Sequence, residues 1–278
     1  MTDILDEIVV RRRKDVAEKP VSLSDLKAAH RGRSDFRPFH EALRRNITQP
    51  DSITRPDNRT RSDRVAIIAE IKRGSPAKGL FAPDLNPAEL AEQYERGQAA
   101  CLSVLVEPHY FFGSFGDLTA ARNACSLPVL QKDFIVMEYQ VWECAVYADA
   151  MLLIARCLER QELADLYGLA VELGLDVLVE VFDDEDIDKI EPLQFPLIGI
   201  NHRNLRTMSI DLDRSRQLRS RFHTDQTVIA ASGIKDRCDI ETLLPTGIQA
   251  FLVGESLSRS PDRIALLRTF VEGEYRAG

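Results

Sequence analysis

VAIIAEIK, residues 65–72, is the stretch on which the reading of the fold turns. It is a short run of valine, isoleucine and alanine with two charges near its end, Glu70 and Lys72. A strand buried on both faces of a parallel sheet has this texture. Similar runs follow: CLSVLVEP from Cys101, PVLQKDF from Pro128, AMLLIAR from Ala150, DVLVEVF from Asp176, PLIGIN from Pro196, TVIAASG from Thr227 and AFLVGES from Ala250. Helical patterns alternate with them. Asn86-Pro87-Ala88-Glu89 supplies an N-cap, a proline at the first helical position and a capping-box-like glutamate. Residues 159–173 form a long amphipathic stretch stopped by Gly174. Residues 213–222, 235–244 and 261–272 supply the last three helices. Eight strand–helix units in series predict an α/β fold, the closed (β/α)8 TIM barrel. A doubly wound open sheet is the alternative, but no GxGxxG fingerprint accompanies it.

Upstream of residue 65 the texture differs. Ile4, Leu5, Ile8, Val9 and Val16 recur at helical spacing, a second helix is expected over 22–30 with Ser22 as its cap, and a short one over 39–45. Residues 48–64 are polar, hold two prolines and predict an exposed connector. The expected organisation is an N-terminal helical extension and connector (1–64) joined in one domain to a barrel (65–278).

Composition narrows the function. The chain has 278 residues, 44% hydrophobic and 29% charged, ordinary for a protein with a sizeable core. A net charge of −8 argues against a nucleic-acid surface, so an anionic substrate needs a local cationic site. The five cysteines are odd in number and lack metal-ligand spacing, which points to reduced thiols and a cytoplasmic protein. Neither a signal peptide nor a membrane-spanning run is evident. Oligomeric state is not legible.

Barrel active sites lie at strand C-termini. There the sequence places Glu70 and Lys72, Lys132 and Asp133, Glu180, Asn201 and Arg203, Ser232-Gly233, and Gly254-Glu255-Ser256. His109 and His202 fall near the same rim. Any one charge is equally well a structural ion pair, such as Glu70 with Lys72 or Lys132 with Glu180. Their recurrence at strand ends points to a site. The glycines after strands seven and eight fit close approach to a phosphate, or simply a turn. No compact His/carboxylate set predicts a metal.

At these residues the chain resembles the indole-3-glycerol-phosphate synthase family. The matching segments are IIAEIKRGSPAKG (67–79), LSVLVEPHYFFGS (102–114), PVLQKDFIV (128–136), LVEVF (178–182), IGINHRNLRTMSID (198–211), ASGI (231–234) and FLVGESL (251–257). The resemblance implies helices over the upper face of the barrel and no cofactor or metal. It implies conversion of 1-(2-carboxyphenylamino)-1-deoxyribulose 5-phosphate to indole-3-glycerol phosphate, carbon dioxide and water. By the same resemblance Lys132 is the general acid, Glu180 a catalytic carboxylate, and Glu70 and Lys72 a catalytic pair, with Lys72 placed to meet the substrate carboxylate. Asn201 and Arg203 position substrate, and Phe111 walls the aromatic ring. Ser75, Ser232, Gly233, Gly254 and Glu255 fall at phosphate positions, Glu255 through its backbone. Two departures stand out: Ala231 replaces the family's usual glutamate, and Ala77 its second serine. A related barrel acting on another phosphorylated amino sugar, and a ligand-binding pseudoenzyme, are the competing readings.

Overall fold

The computed structural model describes residues 4–48, 64–204 and 209–273, so the expected connector lies almost wholly outside the described residues. Eight parallel strands close into a barrel: β1 (Ala66–Ile71), β2 (Cys101–Leu105), β3 (Val129–Lys132), β4 (Ala150–Ile154), β5 (Asp176–Val181), β6 (Leu197–Asn201), β7 (Thr227–Ala231) and β8 (Ala250–Val253). Each strand pairs with its neighbours in the chain, and β8 closes on β1 with Ala250 opposite Ala66.

Before the barrel come α1 (Ile4–Ala17), α2 (Leu23–Arg31) and α3 (Phe39–Thr48). Ser22 caps α2 as expected, its hydroxyl accepting from Asp25 N at 3.1 Å. The outer ring is α4 (Pro87–Arg96), α5 (Phe115–Ala124), α6 (Glu138–Tyr147), α7 (Arg160–Glu172), α8 (Asp184–Ile190), α9 (Asp213–Leu218) and α10 (Arg237–Leu243). The last unit ends in α11 (Glu255–Arg259) and α12 (Arg263–Glu272). Asn86 caps α4 through its side chain, and a capping box of Glu159 and Glu162 starts α7.

Strand alternation divides the apolar residues into two bodies. Outward residues such as Ile67, Val104, Val179 and Phe251 pack beneath the helices. Inward residues such as Ile68, Leu130, Leu152 and Leu178 fill the barrel. The extension closes both ends rather than the upper face alone. Leu5 and Ile8 of α1 enter the cavity at the C-terminal end of the strands. Phe39 and Leu43 of α3 pack with Ala66, Ala100 and Cys101 at the opposite end, while α2 lies along α6. No helix among the described residues is long and apolar enough to cross a membrane.

Candidate active site

On five of the strands the last inward residue borders a common space above the apolar filling. Above Ile68 is Glu70, above Leu130 is Lys132, above Leu178 is Glu180, above Leu197 is Asn201 and above Ile229 is Ala231. Together they border one cavity of about 600 Å³. Lys72, Ser75, Phe111, Arg203, Ser232, Gly233 and Glu255 line the same space. Thus the residues assigned to the site by the resemblance converge, with Gly254 the exception among them. Gly254 sits beneath Glu70, where a Cβ would fall 2.3 Å from Glu70 Oε1. Its smallness is required by the approach of that carboxylate.

The charged groups form an unequal network. Glu70 accepts a hydrogen bond from Lys72 Nζ, and its other oxygen lies 3.5 Å from Lys132 Nζ. Glu180 instead accepts from Asn201 Nδ2 at 2.9 Å. Of the two structural pairings weighed from sequence, Glu70 with Lys72 forms, while Lys132 sits against Glu70. Burial pushes both carboxyls upward, but the outcomes differ. At Glu70 the ammonium groups of Lys72 and Lys132 overcome burial and hold the carboxyl below its ordinary value. At Glu180 burial prevails over Lys132 and Asn201, and the carboxyl is raised. The two carboxyls are thus shifted in opposite directions, Glu70 downward between its two lysines and Glu180 upward with only Asn201, among the described residues, donating to it.

The walls are held from outside the cavity. Arg12 of α1 donates to both oxygens of Asp133, at 2.9 and 2.5 Å, and so binds that helix beside Lys132. The buried Glu107 carboxylate accepts from three successive amides, His109 N at 2.9 Å, Tyr110 N at 2.7 Å and Phe111 N at 2.9 Å. It thereby folds the loop that presents Phe111, which faces Phe134 at 6.0 Å between ring centroids. Neither histidine faces the cavity: His109 meets Asp15 and Arg11 of α1. His202 is buried, and burial lowers its pKa. Its Nδ1 donates to Ser232 O at 2.9 Å, which leaves Nε2 to accept from the Ser215 hydroxyl at 2.6 Å. That contact braces a turn in which Ser232 adopts φ +71°, unusual for a residue with a side chain, and Gly233 φ +86°.

Sequence reasoning missed Lys78, Lys235 and Arg259, which all line the cavity. Lys78 lies within the 67–79 motif, so its signal was present. Lys235 and Arg259 sit in polar stretches that give none.

The family model described as indole-3-glycerol phosphate synthase matches residues 5–270. The chain belongs to the indole-3-glycerol phosphate synthase family. The curated indole-3-glycerol phosphate synthase of Desulfosudis oleivorans is 45% identical over 271 residues, covering 96% of this chain and 98% of that one. The synthase of Leptothrix cholodnii is 41% identical over 265 residues, covering 94% and 96%. Among solved structures, 3-hexulose-6-phosphate synthase from Salmonella typhimurium aligns with a TM-score of 0.58 at 12% identity, over 74% of this chain and 96% of that chain. At that identity only the barrel is shared. An indole-3-glycerol phosphate synthase is a decarboxylating lyase of tryptophan biosynthesis, and the chain is an enzyme of this kind.

Proposed function

We propose that the cavity binds 1-(2-carboxyphenylamino)-1-deoxyribulose 5-phosphate and closes its indole ring with Lys132 and Glu180 as the proton-handling pair. The ring carbon bearing the carboxylate attacks the ribulose carbonyl, and Lys132 protonates the carbonyl oxygen as the new carbon–carbon bond forms. Carbon dioxide then departs, and the electrons of its bond restore the aromatic ring. Loss of water removes the new hydroxyl with a proton and a hydrogen from the adjacent carbon; Glu180 accepts that second proton. Glu70 keeps the lysines oriented, Lys72 meets the substrate carboxylate, and Asn201 and Arg203 position the sugar. Phe111 walls the aryl ring, while Ser75 and the Ser232–Gly233 and Gly254–Glu255 turns receive the phosphate.

The observation that carries this reading is the unequal pair of carboxylates in one cavity, Glu70 between lysines and Glu180 raised by burial. Ala231 lines the same cavity where the resembling family usually carries a glutamate, so the proposed chemistry runs here without that carboxylate. Indole fluorescence after addition of the carboxyphenylamino substrate tests this. Sustained turnover supports the synthase. Binding without indole formation would contradict the assignment of Lys132 and Glu180 as the proton-handling pair. The cysteines at 101, 125, 144, 157 and 238 are all free, which supports a cytoplasmic setting.

A further inference from the structure

The β1 loop crosses the cavity mouth as a small hairpin in which Gly74 pairs with Leu80 and Ser75 with Gly79. Its base is fixed by Arg73, whose guanidinium binds both oxygens of Asp117 at 2.8 and 2.9 Å and Pro83 O at 2.7 Å. Its tip carries Lys78, which donates to Glu255 across the opening. Both side chains are 40% exposed, and both border the cavity. Glu255 is also approached by Arg259, with Nε 3.6 Å from Oε1. The Lys78 hydrogen bond, reinforced by the charges of Lys78, Arg259 and Lys72, holds the Glu255 carboxyl below its ordinary value, so it is an anion.

This anion stands at the end of the cavity proposed above for the phosphate. A phosphate monoester arriving there meets a like charge that already holds Lys78. Two features resolve the conflict. Lysine is a point charge on a four-carbon stem and reorients readily, unlike the bidentate arginine at the loop base. Arg259 remains beside Glu255 when Lys78 leaves, so the carboxylate is not abandoned. We propose that Lys78 exchanges partners, leaving Glu255 for the substrate's phosphate, and so draws the β1 hairpin over the occupied cavity. Glu255 thereby competes with phosphate for one ammonium group. The inference rests on the proposed position of the phosphate and adds a side-chain ligand to it.

Competition and simple structural support predict opposite things. Inorganic phosphate is titrated calorimetrically at low salt into the unmodified protein, Lys78→Gln and Glu255→Gln, with thermal melts as a check on folding. Exchange requires opposite signs: Lys78→Gln weakens phosphate binding by about fivefold, and Glu255→Gln tightens it by a similar factor, the scale of one partly exposed ion pair. In the double variant the gain from Glu255→Gln disappears, since no lysine is left to release. Both differences shrink as salt screens the pair. Weakening in both single variants, or no change in either, overturns the exchange while leaving the phosphate position intact. If the unmodified protein binds no phosphate, the phosphate end of the proposed site fails, and the exchange with it.

Discussion

The two ends of the barrel are built from the same strands and solve opposite problems. At the lower end the inward residues are small, Ala66, Ala150 and Ala250, and the space they leave is filled by Phe39 and Leu43 of α3, both fully buried. The carboxylates there are consumed. Asp149 takes hydrogen bonds from Arg33, Arg122 and the amides of Arg37 and Val129, and Asp176 takes one from His40 N. At the other end of the barrel, above Ile68, Leu130 and Leu178, Glu70, Lys132 and Glu180 face about 600 Å³ of open cavity under Leu5 and Ile8 of α1. Their partners are few and, at Glu180, not a cation within ion-pair distance. A buried charge is costly unless fully paired. Asp149 meets that requirement with two guanidinium groups and two amides, whereas Glu180 has one amide donor and, among the described residues, no cation within ion-pair distance.

Substitutions at the two ends should therefore separate activity from stability. The largest effect is expected at Lys132. Lys132→Met should lower kcat by roughly 10²–10⁴, the usual worth of a general acid, with KM and the thermal midpoint little changed. Steady-state indole fluorescence with parallel melts checks this. At the lower end, Phe39→Ala should cost about 3–5 kcal/mol in urea unfolding, through lost burial and a cavity, with kcat close to normal where the variant is folded. A proportionate loss of kcat would mean that the ends are coupled.

Ala231 tests the upper end in the other direction. It is 4% exposed yet belongs to the cavity wall, flanked in register by Asn201 and Leu252. Lys72, which a glutamate there could engage, instead holds Glu70. If the chain is a synthase slowed by this substitution, Ala231→Glu should raise kcat/KM on the carboxyphenylamino substrate by roughly tenfold, the scale of one charge-assisted contact. An unchanged or lower value in a well-folded variant would mean that the cavity does its chemistry without a carboxylate at this position.

The smallest effect concerns pH. Burial raises the Glu180 carboxyl in the folded state, so the fold holds that proton to higher pH than the unfolded chain does. This group's contribution to stability is present below its unfolded value, about 4.3, and is lost as pH rises through the folded value. Glu180→Gln cannot ionise and escapes the loss. Its melting midpoint should gain on that of the unmodified protein as pH rises through this window, while kcat falls. A constant offset at all pH values would remove Glu180 as the group responsible.

Much of this division was legible in the sequence. The barrel was, because strands buried on both faces stand out as apolar runs, and charges such as Glu70 and Glu180 interrupt them at a fixed place. Helices α5, α6 and α8 were not assigned from periodicity. The inward face of α6 holds Gln140 and Glu143 as well as Val141 and Cys144, which blurs its apolar stripe. The lower plug was missed because the pattern over 39–45 announces a helix but not the end of the barrel it enters. Lys78 and Glu107 lie within the matching motifs, but what each of them does was hidden for a related reason. One acts through a partner 177 positions away and the other through its own loop's amides, and neither relation leaves a periodic trace. At Gly254 the sequence signalled a turn beside the phosphate but not the close approach of Glu70, which a Cβ there would block.

The most direct test is the single-turnover rate of indole formation, with enzyme in excess over substrate, in Lys132→Met beside Phe39→Ala at a temperature where both are folded. Chemistry confined to the upper end predicts that Lys132→Met binds substrate normally but forms product at least ~10²-fold more slowly, while Phe39→Ala keeps the unmodified rate. A near-normal single-turnover rate in folded Lys132→Met, or equal losses in the two variants, would contradict it.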